Sequence, residues 1–151
     1  MSDQTTYPDY MVDMRAWLRA HPYLVNLTAG RVFFRIPPKP SAAPFLRIYQ
    51  SGGGPQAEES DAPVMDIRLG IDVWGMAGSD YTAVRKTGNA LYAIAHDTPA
   101  LTRLTGPPTS SYAWGNTVHM NLNITTSLDS PDPDTGWPRK VLDAVWTVRH
   151  A

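Results

Sequence analysis

Residues Met65 to Trp74 alternate without a break. Ile67, Leu69, Ile71 and Val73 take one parity, and Asp66, Arg68, Gly70 and Asp72 take the other. A period of two over this length predicts a strand with one buried face and one wet face. At about 3.3 Å per residue it runs over about 30 Å. So long a strand needs equally long sheet partners, and its apolar side needs a second layer to cover it.

The flanking segments supply both. Val141 to Arg149 repeats the alternation, with Leu142, Ala144, Trp146 and Val148 inward and Asp143, Thr147 and Arg149 outward. Phe45 to Gln50 and Arg31 to Ile36 are β-branched and aromatic, so both predict strands. Ser110 to Leu122 adds another, with Tyr112, Trp114, Val118, Met120 and Leu122 on one parity. Two segments have helical spacing. In Asp9 to Ala20, the residues Tyr10, Met14, Trp17 and Leu18 form a stripe, and His21-Pro22 ends it. The second runs to about His96, capped by Ser79 or Asp80, with Tyr81, Val84, Gly88, Leu91 and Ala95 on one face. Tyr23 to Leu27 suggests only a short turn. The expected fold is α+β, in the order α-β-β-β-α-β-β: an antiparallel sheet with two helices packed on one face. A length of 151 residues makes this a single domain over 1–151.

Composition narrows the function. No stretch approaches a membrane span, and Met1 to Tyr10 is polar, so neither a membrane partner nor a signal peptide is expected. Cysteine is absent, which excludes disulfides and thiol chemistry. A net charge of −1, from 13 basic and 14 acidic residues, argues against a nucleic-acid-binding module. The 14 Pro and 11 Gly predict long loops.

No catalytic, metal-binding or cofactor-binding residue is assigned. Gly52-Gly53-Gly54 lacks the following helix and Lys-Ser/Thr of a phosphate loop. His21, His96, His119 and His150 show no ligand spacing, and no G-x-S-x-G elbow is present. Asp129, Asp132 and Asp134 lie in a loop stiffened by Pro131 and Pro133, without the spaced glutamate of a calcium loop. The sequons at Asn26 and Asn123 read as chance matches.

Charge and aromatics remain. Between Met14 and Ala57 stand six basic residues and no acid: Arg15, Arg19, Arg31, Arg35, Lys39 and Arg47. Acids follow at Glu58, Glu59 and Asp61 and again at Asp129, Asp132 and Asp134. A subunit of two signs can meet copies of itself head to tail, and such contacts close into rings. Arg31, Arg35, Lys39 and Arg47 are therefore candidate interface residues, with charge reversal at Arg35 or Arg47 expected to block self-association. Of the five tryptophans, Trp17 and Trp146 are expected in the core, and Trp74, Trp114 and Trp137 at an interface.

Gly30–Pro37 (GRVFFRIP), Pro44–Tyr49 (PFLRIY) and Asp66–Gly75 (DIRLGIDVWG) together resemble the tail terminator, or tail completion, proteins of long-tailed bacteriophages, especially those of actinobacteria. The N-terminal helix, the helix beginning at Tyr81 and the terminal strand fit the same order. The resemblance implies a structural virion protein, not an enzyme, present in the host cytoplasm during assembly. It implies a ring, hexameric in the family, on the head-proximal end of the tail tube. That ring ends tube polymerisation and docks to a head-completion or neck protein, and DNA passes through without specific binding. On this reading Glu58, Glu59 and Asp61, or Asp129 to Asp134, face the lumen or an axial neighbour. The alternatives are another neck or head-to-tail joining ring, a tail-tube subunit, or a small ligand-binding or enzymatic α+β domain.

Overall fold

The computed structural model describes residues 10–36, 42–55, 64–76, 78–104 and 117–150. Its elements are helix α1 (Tyr10–Ala20), helix α2 (Pro22–Thr28), strands β1 (Val32–Phe33), β2 (Phe45–Pro55) and β3 (Val64–Trp74), helix α3 (Thr82–Asp97), and strands β4 (Thr102–Arg103), β5 (Thr117–Asp129) and β6 (Arg139–His150). The strands form one six-stranded sheet in the order β1-β2-β3-β6-β5-β4.

The α+β class is as expected, and several details differ. The sheet is mixed, because β1 pairs parallel to β2. The described residues hold three helices rather than two. His21-Pro22 ends α1 and at once starts α2: Pro22 occupies the first turn, where a missing N–H costs nothing, and His21 accepts the Tyr23 N–H. Only Val32 and Phe33 of the segment 31–36 are strand. The strand expected over 110–122 begins at Thr117 and extends to Asp129; positions 110–116 lie outside the described residues.

The central strand is buried as its alternation predicts. Ile67, Leu69, Ile71 and Val73 join Leu142, Ala144, Trp146 and Val148 of β6 in one core cluster. Tyr10, Met14 and Leu18 of α1, Leu24 of α2, and Val84, Leu91 and Ile94 of α3 complete it. Trp146 is fully buried, while Trp17 only packs against the edge of the cluster. In β5 a bulge between His119 and Asn121 switches the face parity. Leu122 therefore points into the core, and the single even-numbered face expected for this strand does not exist.

The other face of β3 is not uniformly wet. Gly70, Asp72 and Trp74 are buried along with their apolar neighbours. The Tyr49 ring lies directly on Gly70, where a Cβ would fall 2.0 Å from the ring.

Buried polar side chains include Asp13 and His119. Asp13 is buried and accepts the Thr117 hydroxyl proton. Trp146 Nε1–H donates to His119 Nδ1 at 3.2 Å, and His119 is 1% exposed. That bond needs a bare Nδ1, so the ring is neutral with its proton on Nε2. Burial pushes the His119 pKa below its ordinary value. A depressed pKa gives stability that is complete above the unfolded value, about 6.5, and is lost as pH falls toward the folded one. Urea unfolding is therefore expected to show falling stability from pH 7 to pH 5, with a smaller slope in His119→Gln. Equal slopes in the two proteins would refute this role.

Candidate assembly surface

The sheet face turned away from the helices carries the richest side-chain cluster. Pairing places Phe45 beside Trp74 and Arg47 beside Asp72 on adjacent strands, and Arg139 beside Trp74 on the other side. Phe45 and Trp74 stack with ring centroids 5.9 Å apart and planes 3° from parallel. Phe33 meets Phe45 edge-on at 6.1 Å. The Arg139 guanidinium lies 5.4 Å over the Trp74 ring, and the Arg47 guanidinium 4.6 Å over Tyr49.

Asp72 is the charged centre of this cluster. Its side chain is 4% exposed and pairs with Arg47 at 3.5 Å. Loss of water raises its pKa, opposed by Arg139 and Arg47. Its Oδ1 and the Trp74 indole N–H have no hydrogen-bond partner among the described residues. Asp72 is thus a buried carboxylate whose desolvation outweighs the stabilising pull of the two guanidiniums beside it.

The hairpin between β5 and β6 adjoins this end of the sheet. Asp132 accepts from the Thr135 N–H at 2.8 Å and from its hydroxyl at 2.6 Å, a local turn closed by the side chain. Arg139 reaches back to Ser130 O at 3.0 Å and lies 4.0 Å from Asp132. Asp129 faces the other way and receives Arg85 at 3.1 Å and Lys140 at 3.2 Å. Burial raises the Asp129 pKa, but these two hydrogen-bonded cations outweigh it and hold it below the usual range. Gly88 makes this possible: a Cβ there would sit 2.8 Å from the Lys140 stem.

The predicted interface residues divide clearly. Trp74 is 4% exposed and belongs to the aromatic stack, so its ring is not free on the surface. Arg47 is committed to Asp72 within the chain. Arg31 donates from Nε to Pro44 O at 3.1 Å, which fixes the entry to β2. Arg35 is exposed, with no ion pair among the described residues. Trp137 is half-buried and Asp134 exposed on the hairpin. Lys39, Trp114, Glu58, Glu59 and Asp61 lie outside the described residues. Asp129 and Asp132, expected as solvated loop acids, are held by internal partners. Arg139, Asp72 and Tyr49 were not singled out in the sequence. Their common signal is strand register, which brings together residues far apart along the chain.

Among the described residues no three His, Asp or Glu side chains could hold a metal ion, and no helix is long and apolar enough to cross a membrane. The model of the family "Tail completion protein gp17" matches residues 12–149. The chain belongs to the tail completion protein gp17 family. It is a structural protein of the phage tail and part of the virion. The fold agrees with a chain in the "Virion of native gene transfer agent (GTA) particle", with a TM-score of 0.55 at 15% identity. That likeness covers 89% of this chain and 88% of the other. No curated protein sequence matches this tail completion protein. The family match takes in all three helices and all six strands, from early α1 to the end of β6.

Proposed function

We propose that this tail completion protein assembles as a closed ring on the head-proximal end of the tail tube, where it ends tube growth and presents a docking face to a head-completion or neck protein. The observation that carries this reading is the family match across the whole folded unit. The cluster on the bare sheet face supports an architectural role. Its charges are paired and its aromatics stacked, an arrangement suited to holding a surface rigid. DNA passing through such a ring would meet no fixed basic field, given the net charge of −1.

The test is molar mass by light scattering over a wide concentration range, with negative-stain images, alone and with purified tail tubes. The expected species is a ring of about six copies of the 16.6 kDa subunit. Unlimited tubes would identify a tube subunit instead. A monomer that also ignores tube ends would refute the ring. Arg35→Glu is the cleaner charge-reversal variant, because Arg47→Glu would also strand the buried Asp72. Arg35→Glu is expected to weaken association at least tenfold while leaving the subunit folded, and unchanged association would remove Arg35 from the interface.

A further inference from the structure

Among the described residues, both edges of the sheet are only partly covered. At one edge β1 pairs with Leu46 and Arg47 and leaves Ile48–Pro55 of β2 without a described neighbour. At the other, β4 pairs with Val118 and His119 and leaves Asn121–Asp129 of β5 without a neighbour among the described residues. These stretches occupy the same rows of the sheet. Ile48 is level with Ile71, Leu142 and Ser127, and Gly54 is level with Asp66, Thr147 and Asn121. Each open edge is about 25 Å long.

Their directions also match. Successive antiparallel pairings from β2 through β3 and β6 leave β5 running opposite to β2. If β5 of one subunit lies beside β2 of the next, the up-and-down alternation continues without interruption. The charge that usually blocks edge pairing is missing from Ile48–Pro55 and, within Asn121–Asp129, is confined to the last residue, Asp129, which pairs with Arg85 and Lys140 of its own chain. A groove of about 380 Å³ runs along the β5 edge, between Tyr92, Ala95 and His96 of α3 and Asn121 to Ile124. Gly52 to Gly54 give β2 a stretch of backbone with no side chains to collide with the groove wall.

We infer that the β2 edge of one copy adds as an antiparallel strand to the β5 edge of the next, seating its glycine run beside α3. This names the contact within the ring proposed above and rests on that reading. A strand added to an open edge gains a ladder of backbone hydrogen bonds, broken here only at the bulges after Gln50 and Ile124 and at Pro55. Because the two edges differ, the contact is head to tail, the kind that repeats until it closes.

The absence of cysteine makes the test clean. Gln50 shares a row with Leu69, so it takes the helix side of the sheet, as do Ile124 (beside Ala144) and Ser127 (beside Leu142). Asn123 and Thr126 take the opposite side. Facing Cβ atoms on paired strands lie about 4.5–5.5 Å apart, near disulfide reach. Gln50→Cys combined with Ile124→Cys or Ser127→Cys is expected to give a ladder of cross-linked species under mild oxidation. Gln50→Cys with Asn123→Cys or Thr126→Cys should give at least tenfold less. Light scattering on the same variants reads ring formation separately. Rings without this alternation, whether both parities cross-link or neither does, would overturn edge pairing and leave the ring reading intact. Variants and wild type that stay monomeric even with tail tubes would overturn both.

Discussion

Trp146→Ala is expected to cost about 3–5 kcal/mol of stability. The side chain is fully buried at the centre of β6, and it is the largest such side chain in the core. It touches both sides of the molecule's logic: apolar contact with the cluster, and a hydrogen bond to His119 at 3.2 Å. Removing it opens a cavity and strands the His119 Nδ1 acceptor. Domains of this size have roughly 5–15 kcal/mol in total, so the variant retains only a fraction of its fold stability. Thermal unfolding followed by circular dichroism should show a drop in Tm of about 10 °C or more. Trp146→Phe separates the contributions: it keeps most of the volume and loses the N–H, so its cost should be nearer about 1–3 kcal/mol. A loss under about 1 kcal/mol in Trp146→Ala would mean that Trp146 does not anchor this core.

Gly53→Ala is expected to be of similar severity, for a backbone reason. Gly53 has φ of +85° and sits just past the register shift in β2. A Cβ there would fall 2.1 Å from the carbonyl oxygen of Asp66 and 3.0 Å from Ile67 Cα. Both atoms belong to the paired strand β3 and cannot withdraw without breaking the β2–β3 ladder. The left-handed conformation alone costs about 1–2 kcal/mol for a residue with a Cβ, and overpacking adds about 1–3 kcal/mol. Gly78→Ala is the control. Its φ is +77° but nothing lies within 4 Å, so it should show the conformational cost alone. If urea unfolding gives the two variants equal losses, the close approach of β2 to β3 at Gly53 is wrong. A destabilised β2 edge should also reduce association, since that edge is the one proposed to pair with the next subunit.

The two long alternating segments were readable because period-two patterning is a local property, and burial of Ile67, Leu69, Ile71 and Val73 follows from it directly. The α1 stripe was readable for the same reason: Met14 and Leu18 are fully buried. Patterning failed where a residue count changed the phase. The β5 bulges break the alternation that Val118, Met120 and Leu122 suggested. The stacking of Trp74 on Phe45 was hidden because the two residues are neighbours only through strand pairing. At Arg47 and Asp129 the sequence could not show the internal pairing, since the opposite charges lie 25 and 44 residues away along the chain, at Asp72 and Arg85.

The chain's order of residues was enough for the α+β class, the inward faces of β3, β6 and α1, and the likeness to tail completion proteins. Each of these depends on spacing over a few residues or on short strings in order. The sheet order β1-β2-β3-β6-β5-β4, the Arg47–Asp72–Arg139 cluster and the two open edges in matching rows came from long-range pairing. The period-two pattern fixes which face each strand buries and so limits its register, but which distant strand lies beside it is decided by how the whole core packs.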